Sequence, residues 1–163
     1  MKTLLTITFY CIALIANAQE TIPELLEKFN TKKVPYISIK ELAMPKTQAI
    51  ILDSREEVEY NTSHLKNAIL VGYDNFSVDS VLKKFPNINK TVVVYCSIGI
   101  RSETVAYKLK KAGYHHVYNL YGGIFEWKNN GFPVYDLKER ETDSVHVFSE
   151  QWSKLLKKGH KVF

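Results

Sequence analysis

Thr91-Val92-Val93-Val94-Tyr95-Cys96-Ser97-Ile98-Gly99-Ile100-Arg101-Ser102 is the stretch that decides the fold of this chain. Residues 91–95 are all β-branched or aromatic, the pattern of a strand buried on both faces of a sheet. The cysteine follows at the carboxyl end of that strand, where open α/β sheets place their ligands. From Ser102 the period changes. Val105, Ala106 and Leu109 share one face of a helix predicted over residues 102–112 and ended by Gly113.

The same alternation continues on both sides. Upstream, residues 49–52 and 68–71 are short continuous apolar runs and read as buried strands. The first ends at Asp53-Ser54-Arg55 and leads into an acidic helical stretch over 56–60. Between the second run and β-rich 91–95, residues 77–85 place Val78, Val81, Leu82 and Phe85 on one helical face, and Pro86 stops the helix. Downstream, 117–120 is a further strand, and Gly122-Gly123 opens a helix over 124–129 that Gly131 closes. Near the start, Thr21 is an expected N-cap with Pro23 in the first turn, for a helix to about Phe29. At 36–39 a strand reading competes with a helix capped by Ser38 and Glu41, and the boundary stays open. Buried strands alternating with helices predict an α/β fold, a parallel sheet flanked by helices on both faces.

The loop after the strand has the parts of an anion site. A short loop leading into a helix can turn successive backbone N–H groups inward, backed by the helix N-terminus. Gly99 permits the tight path, Arg101 supplies a charge that does not titrate, and such surroundings suit a thiolate. Taken singly, Gly99 also fits a turn, Arg101 a solvated charge and Cys96 a small core residue. Their order together points to chemistry at Cys96.

Cys96-x-x-Gly99-x-Arg101-Ser102 resembles the active-site loop of rhodanese-like sulfurtransferases. Residues 52–60 are similar to that family's Asp-x-Arg segment, and Ser63-His64-Leu65-x-Asn67-Ala68-Ile69 to its Gly-His-Ile-x-Gly-Ala-Ile stretch. Leu120-Tyr121-Gly122-Gly123-Ile124-x-x-Trp127 and Gly131-Phe132-Pro133-Val134 resemble its closing pattern. The resemblance implies a sulfurtransferase that moves sulfane sulfur from a small donor such as thiosulfate to a thiophilic acceptor, cyanide or a thiol. It implies Cys96 as nucleophile and persulfide carrier. Ser97, Ile98, Gly99, Ile100, Arg101 and Ser102 would bind substrate, Arg101 near the donor's anionic group. Asp53 and Arg55 would support the loop, and His64 has a structural role. Ser63 and Asn67 stand where the family has glycines; asparagine tolerates a left-handed backbone more readily than serine.

Two other readings remain. A binding module could keep the fold without turnover. A cysteine-dependent phosphatase or arsenate reductase uses a larger loop, with five residues between cysteine and arginine, whereas four separate Cys96 from Arg101. No cofactor is expected, and His115-His116 lacks companions at metal-ligand spacing.

Residues 1–18 read as a secretory signal: Lys2, an apolar run over 4–16, and Ala16-Asn17-Ala18 as a cleavage pattern. The run is short of the roughly 20 residues that span a bilayer. Phe9-Tyr10 before Cys11 do not suit a lipoprotein signal. Cleavage would leave an exported protein, periplasmic or secreted, without stable membrane insertion and with Cys96 as its one thiol. The expected organisation is a signal over 1–18, a helical segment over 19–35, a rhodanese-like domain over 36–135 and an extension over 136–163 ending in a short helix. With Lys2 gone the formal net charge of +5 falls by one, and no basic run interleaves with aromatics, so nucleic acid is not an expected partner. Oligomeric state has no signature here.

Overall fold

The computed structural model describes residues 20–163; the expected signal at 1–18 lies outside the described residues. In chain order the elements are α1 (Ile22–Phe29), β1 (Tyr36–Ile37), α2 (Ile39–Ala43), β2 (Ile50–Asp53), α3 (Glu57–Thr62), β3 (Ile69–Leu70) and α4 (Val78–Lys84). They continue as β4 (Thr91–Tyr95), α5 (Arg101–Lys111), β5 (His116–Leu120) and α6 (Gly123–Asn129). The C-terminal part holds β6 (Val134–Tyr135), β7 (Glu141–Thr142), β8 (Ser144–His146), α7 (Glu150–Ser153) and β9 (His160–Val162).

Five strands form one parallel sheet in the order β1-β5-β4-β2-β3. The run at 91–95 is its central strand, paired with β2 and β5. Successive side chains of a strand point to opposite faces, so Val93 and Tyr95 enter one core with Leu25, Leu26, Ile124 and Phe125. Val92 and Val94 enter the other with Val81, Val105, Ala106 and Leu109. Both faces are thus covered by helices, as the unbroken apolar run requires. Leu109 is fully buried, and truncating it to alanine would cost about 2–5 kcal/mol.

The competing readings at 36–39 both hold, because Ser38 is the boundary. Its hydroxyl accepts the N–H of Glu41, whose carboxylate accepts the N–H of Ser38 at 3.0 Å, so β1 ends and α2 begins within one residue. Thr21 and Glu24 close the same reciprocal cap on α1.

The C-terminal part departs from expectation. The short helix expected at its end is a single turn, α7, and the chain continues past it into β9, which pairs parallel to β8. Gly159 reverses the chain at φ +99°, where a Cβ would meet the Asp143 carbonyl at 2.7 Å. Asn129 fixes the approach: its Oδ1 accepts the Lys157 N–H at 2.7 Å and its Nδ2 donates to the Leu155 carbonyl at 3.0 Å. Val145, Val147, Leu155 and Leu156 are buried in the same core as Ile98 and Phe125, so this segment shares the domain's interior. No helix among the described residues is long and apolar enough to cross a membrane.

Candidate active site

The loop between β4 and α5 is held from outside by its carbonyls. Those of Cys96 and Ser97 accept the N–H groups of Ile124 and Phe125 at 2.9 and 3.0 Å. This contact requires a glycine at the start of α6, since a Cβ on Gly123 would lie 2.2 Å from the Cys96 carbonyl oxygen. Gly99 has φ +103°, and its carbonyl accepts from Asn30 Nδ2 at 2.9 Å and Asn119 Nδ2 at 2.8 Å. With that carbonyl turned away, the Gly99 N–H faces inward and donates to Cys96 Sγ at 3.2 Å. Ser102 Oγ stands 3.5 Å from Sγ, but its single proton goes to Asn119 Oδ1 at 2.7 Å. Cys96 therefore has one inward loop amide at its sulfur and lies about one turn before α5, which begins at Arg101 rather than Ser102.

Arg101 stands beside the loop with its charge already paired. Its guanidinium is taken up by Glu59 of α3 through Nη1–Oε2 and Nη2–Oε1 bonds, both 2.7 Å, and Nη2 also donates to Ser97 Oγ at 2.9 Å. The Ser97 hydroxyl donates to Glu59 Oε1 at 2.9 Å, so Ser97 braces this network. Burial opposes charge on Glu59, yet the bonds and charge of Arg101 and the Glu56 amide outweigh it and hold the carboxyl below its ordinary range. Burial opposes the guanidinium charge as well, and Glu59 keeps it protonated. The charge expected near a donor's anionic group is thus matched by a carboxylate. Sequence reasoning missed Glu59; the available signal was its position three residues into an acidic helix start.

Asp53 and Arg55 lie at the root of the loop. Both side chains are fully buried. Arg55 reaches Asp53 through Nε–Oδ1 at 3.0 Å and Nη2–Oδ2 at 2.7 Å, and donates to the Ser63 carbonyl at 2.6 Å. The Tyr95 hydroxyl donates to Asp53, and the guanidinium lies over the Tyr95 ring. This cluster ties the ends of β2 and β4 at the root of the loop. His64 is buried with its ring nitrogens toward the Tyr60 carbonyl and Glu139, away from the loop. Asn67 takes φ +61°, the left-handed position that asparagine tolerates. Ser63 is extended, at φ −170°, so no glycine is needed there.

Above Cys96 opens a cavity of about 240 Å³. Its walls are Phe29, Ile98, Ile100, Arg101, Phe148 and Trp152. Ile98 and Ile100 thus act as apolar wall. Phe148 and Trp152 come from the segment between β8 and β9, which sequence reasoning left without a role. Beside them His146 is buried, and its Nδ1 accepts the Phe148 N–H at 3.1 Å. Burial lowers the His146 pKa from its ordinary value, with Glu59 opposing and Arg55 and Arg101 adding to the effect.

A nearly buried cysteine at the carboxyl end of the central parallel strand, met at its sulfur by the Gly99 amide and followed by a helix, is the arrangement of a rhodanese-type α/β domain. The family described as Rhodanese-like domain matches residues 38–130, more than half of the chain, and the protein belongs to that family. Curated relatives named tRNA uridine(34) hydroxylase are similar to it. The protein from Aster yellows witches'-broom phytoplasma is 33% identical over 100 residues, covering 58% of this chain and 32% of that protein. The one from Buchnera aphidicola is 32% identical over 148 residues, covering 77% and 47%. This chain thus spans less than half the length of either relative. Among solved structures, a thiosulfate sulfurtransferase from Pseudomonas aeruginosa superposes with TM-score 0.59 and 27% identity over 69% of this chain and 22% of that one. A rhodanese-like domain from an Anabaena protein shares the fold, with TM-score 0.56 and 24% identity over 63% and 80%.

Proposed function

We propose that this protein is a sulfurtransferase that carries sulfane sulfur as a persulfide on Cys96, taking it from a small donor and passing it to a thiophilic acceptor. The observation behind this reading is the geometry at Sγ. An inward Gly99 N–H lies 3.2 Å from the sulfur, and the cavity opens directly above it. The thiolate attacks the donor's outer sulfur, the donor's own bond to that sulfur breaks, and the departing group keeps the electron pair. Cyanide or a thiolate then takes the outer sulfur and returns Cys96. Asp53, Arg55 and Glu59 hold the loop and touch no substrate in this scheme. The similarity to a thiosulfate sulfurtransferase supports the chemistry. The four residues between Cys96 and Arg101 favour a sulfur-sized occupant over phosphate.

The protein acts, in this proposal, outside the cytoplasm after loss of residues 1–18. The supporting pattern is the basic start, short apolar run and Ala-Asn-Ala motif. The tRNA activity in the curated relatives' name belongs to proteins more than half of whose length lies outside the match, and it is the competing reading.

The test is intact-mass spectrometry of the protein after exposure to a donor, beside a donor-to-cyanide assay. One added sulfur atom on Cys96, lost with cyanide, is expected; Cys96→Ser should neither gain it nor turn over. A wild type that never acquires the sulfur ends the proposal.

A further inference from the structure

We propose that the donor taken by this cavity is a small organic persulfide or thiosulfonate with an apolar body, selected over thiosulfate by Phe148 and Trp152. The inference rests on the sulfurtransferase reading of Cys96 and narrows it to a substrate class.

The charge pattern comes first. Thiosulfate is a small dianion, and the cation beside its path is Arg101. That guanidinium is already matched by a carboxylate at 2.7 Å through both nitrogens, so the pair offers a dianion little net attraction. Apart from Ser97, whose hydroxyl is bound to Glu59, the rest of the lining is carbon: Phe29, Ile98, Ile100, Phe148 and Trp152. A dianion would lose its hydration along that apolar wall with few compensating donors, whereas an aryl or alkyl body gains by leaving water.

The aromatic wall is also built. Phe148 is 57% exposed and Phe29 is 52% exposed, a costly display unless something covers it. Phe148 holds φ +63°, a backbone region unfavourable for a residue with a Cβ. A tight turn imposes it, closed across Phe148 by the Ser149 N–H to the Val147 carbonyl at 2.6 Å, and two contacts surround it. His146 Nδ1 accepts its N–H, and Arg101 lies 5.1 Å below its ring as a cation under an aromatic face. The segment that carries Phe148 and Trp152 is pinned to α6 by both ends of the Asn129 amide and by the Lys128–Asp143 ion pair at 2.6 Å. Strain at a ligand-facing position, imposed by surrounding bonds, is the signature of a functional placement.

The depth of the sulfur argues for a small donor. Cys96 is only 2% exposed, below a rim of two aromatic rings, so a slim molecule reaches it and a folded protein surface is held off. The step balances without an oxidant. The Cys96 thiolate attacks the outer sulfur of R–S–SH, forming Cys96–S–SH as the R–S bond to that sulfur breaks. The electron pair leaves on R–S⁻, which takes a proton from water. From an aryl thiosulfonate the leaving group is the sulfinate.

The test uses the full mature chain with cyanide as acceptor and two donors, thiosulfate and benzenethiosulfonate, in which a phenyl ring replaces one charged oxygen. Reading kcat/KM as a ratio of donors in each variant against wild type cancels their intrinsic reactivities. The wild type should favour benzenethiosulfonate, and Phe148→Ser and Trp152→Ala should each lower that preference by about tenfold, the scale of a lost apolar contact in a specificity pocket. Phe148 is exposed, so its replacement leaves the fold standing. Turnover of both donors with an unchanged ratio in both variants overturns the inference alone. Failure of both donors to load Cys96 overturns the sulfurtransferase reading and this inference with it.

Discussion

Arg101 and Glu59, 42 residues apart in sequence, meet through two bonds of 2.7 Å beside the loop that carries Cys96. Glu59 is 1% exposed and Arg101 19%, so the carboxylate depends on the guanidinium far more than the reverse. The pair links α3 to the first residue of α5 and thereby sets the wall of the cavity.

Removing one partner therefore has unequal consequences. Arg101→Met strands a buried carboxylate, and about 3–5 kcal/mol of stability should be lost. The double variant Glu59→Leu with Arg101→Met should recover much of it. Urea unfolding of the four proteins measures this directly, and a double-variant loss equal to the sum of the two single losses would show that the pair is not coupled. Glu59→Gln, which frees the Arg101 charge, should raise the use of thiosulfate relative to benzenethiosulfonate.

Gly123 offers a backbone test. A Cβ there would lie 2.2 Å from the Cys96 carbonyl oxygen, at φ +55°. Gly123→Ala must push the loop away from α6, so activity should collapse together with a stability loss well above 1 kcal/mol. Gly72 is the control: its φ is +69° but nothing lies within 4 Å of a Cβ. Gly72→Ala should cost only the left-handed backbone penalty, about 1–2 kcal/mol, and leave sulfur transfer intact. Denaturant melts and turnover of the two variants decide the matter.

These contrasts also mark what the sequence could tell. The sheet, the loop and the helices beside it were legible because their signals are local: continuous apolar runs, a period of 3.6, caps at Thr21 and Ser38, and a glycine at Gly99. The brace at Asp53 and Arg55 was legible from resemblance. Glu59 was not, because a glutamate in an acidic helical run looks like a solvated face until a partner 42 residues away is placed on it. Phe148 and Trp152 were silent for the same reason. Their neighbours are set by β8 pairing with β9, a register that the polar stretch His160-Lys161 does not advertise.

His146 makes the cavity rim sensitive to acid. Its neutral Nδ1 accepts the Phe148 N–H, and burial lowers its pKa below the ordinary 6.5. The unfolded chain thus takes up this proton at higher pH than the folded one. The stabilising contribution is complete above about pH 6.5 and is lost as the pH falls toward the folded value. Melting temperature should decline below pH 6.5, and less steeply in His146→Asn, whose amide oxygen can accept the same N–H without titrating. Identical pH slopes for the two proteins would remove His146 from the account.

Asn119 is fully buried on β5 and works at both ends. Its Nδ2 donates to the Gly99 carbonyl at 2.8 Å, and its Oδ1 accepts the Ser102 hydroxyl at 2.7 Å. The first bond keeps the Gly99 carbonyl turned outward and its N–H on Cys96 Sγ; the second keeps the Ser102 hydroxyl beside the sulfur. Asn119→Asp has the same shape but sets an anion against the Gly99 carbonyl, with a second negative charge close to the thiolate. Losing a hydrogen bond to a buried group costs about 1–3 kcal/mol, so persulfide formation should slow by roughly 5- to 150-fold at 1.4 kcal/mol per decade. Asn119→Ala removes both bonds without adding charge. Sulfur loading followed by mass spectrometry, and alkylation of Cys96 at neutral pH, should both be slower in the Asp variant than in the Ala variant. Equal rates in the two would mean that Asn119 serves the loop's packing alone, and that the electrostatics at Sγ rest on the Gly99 amide and the start of α5.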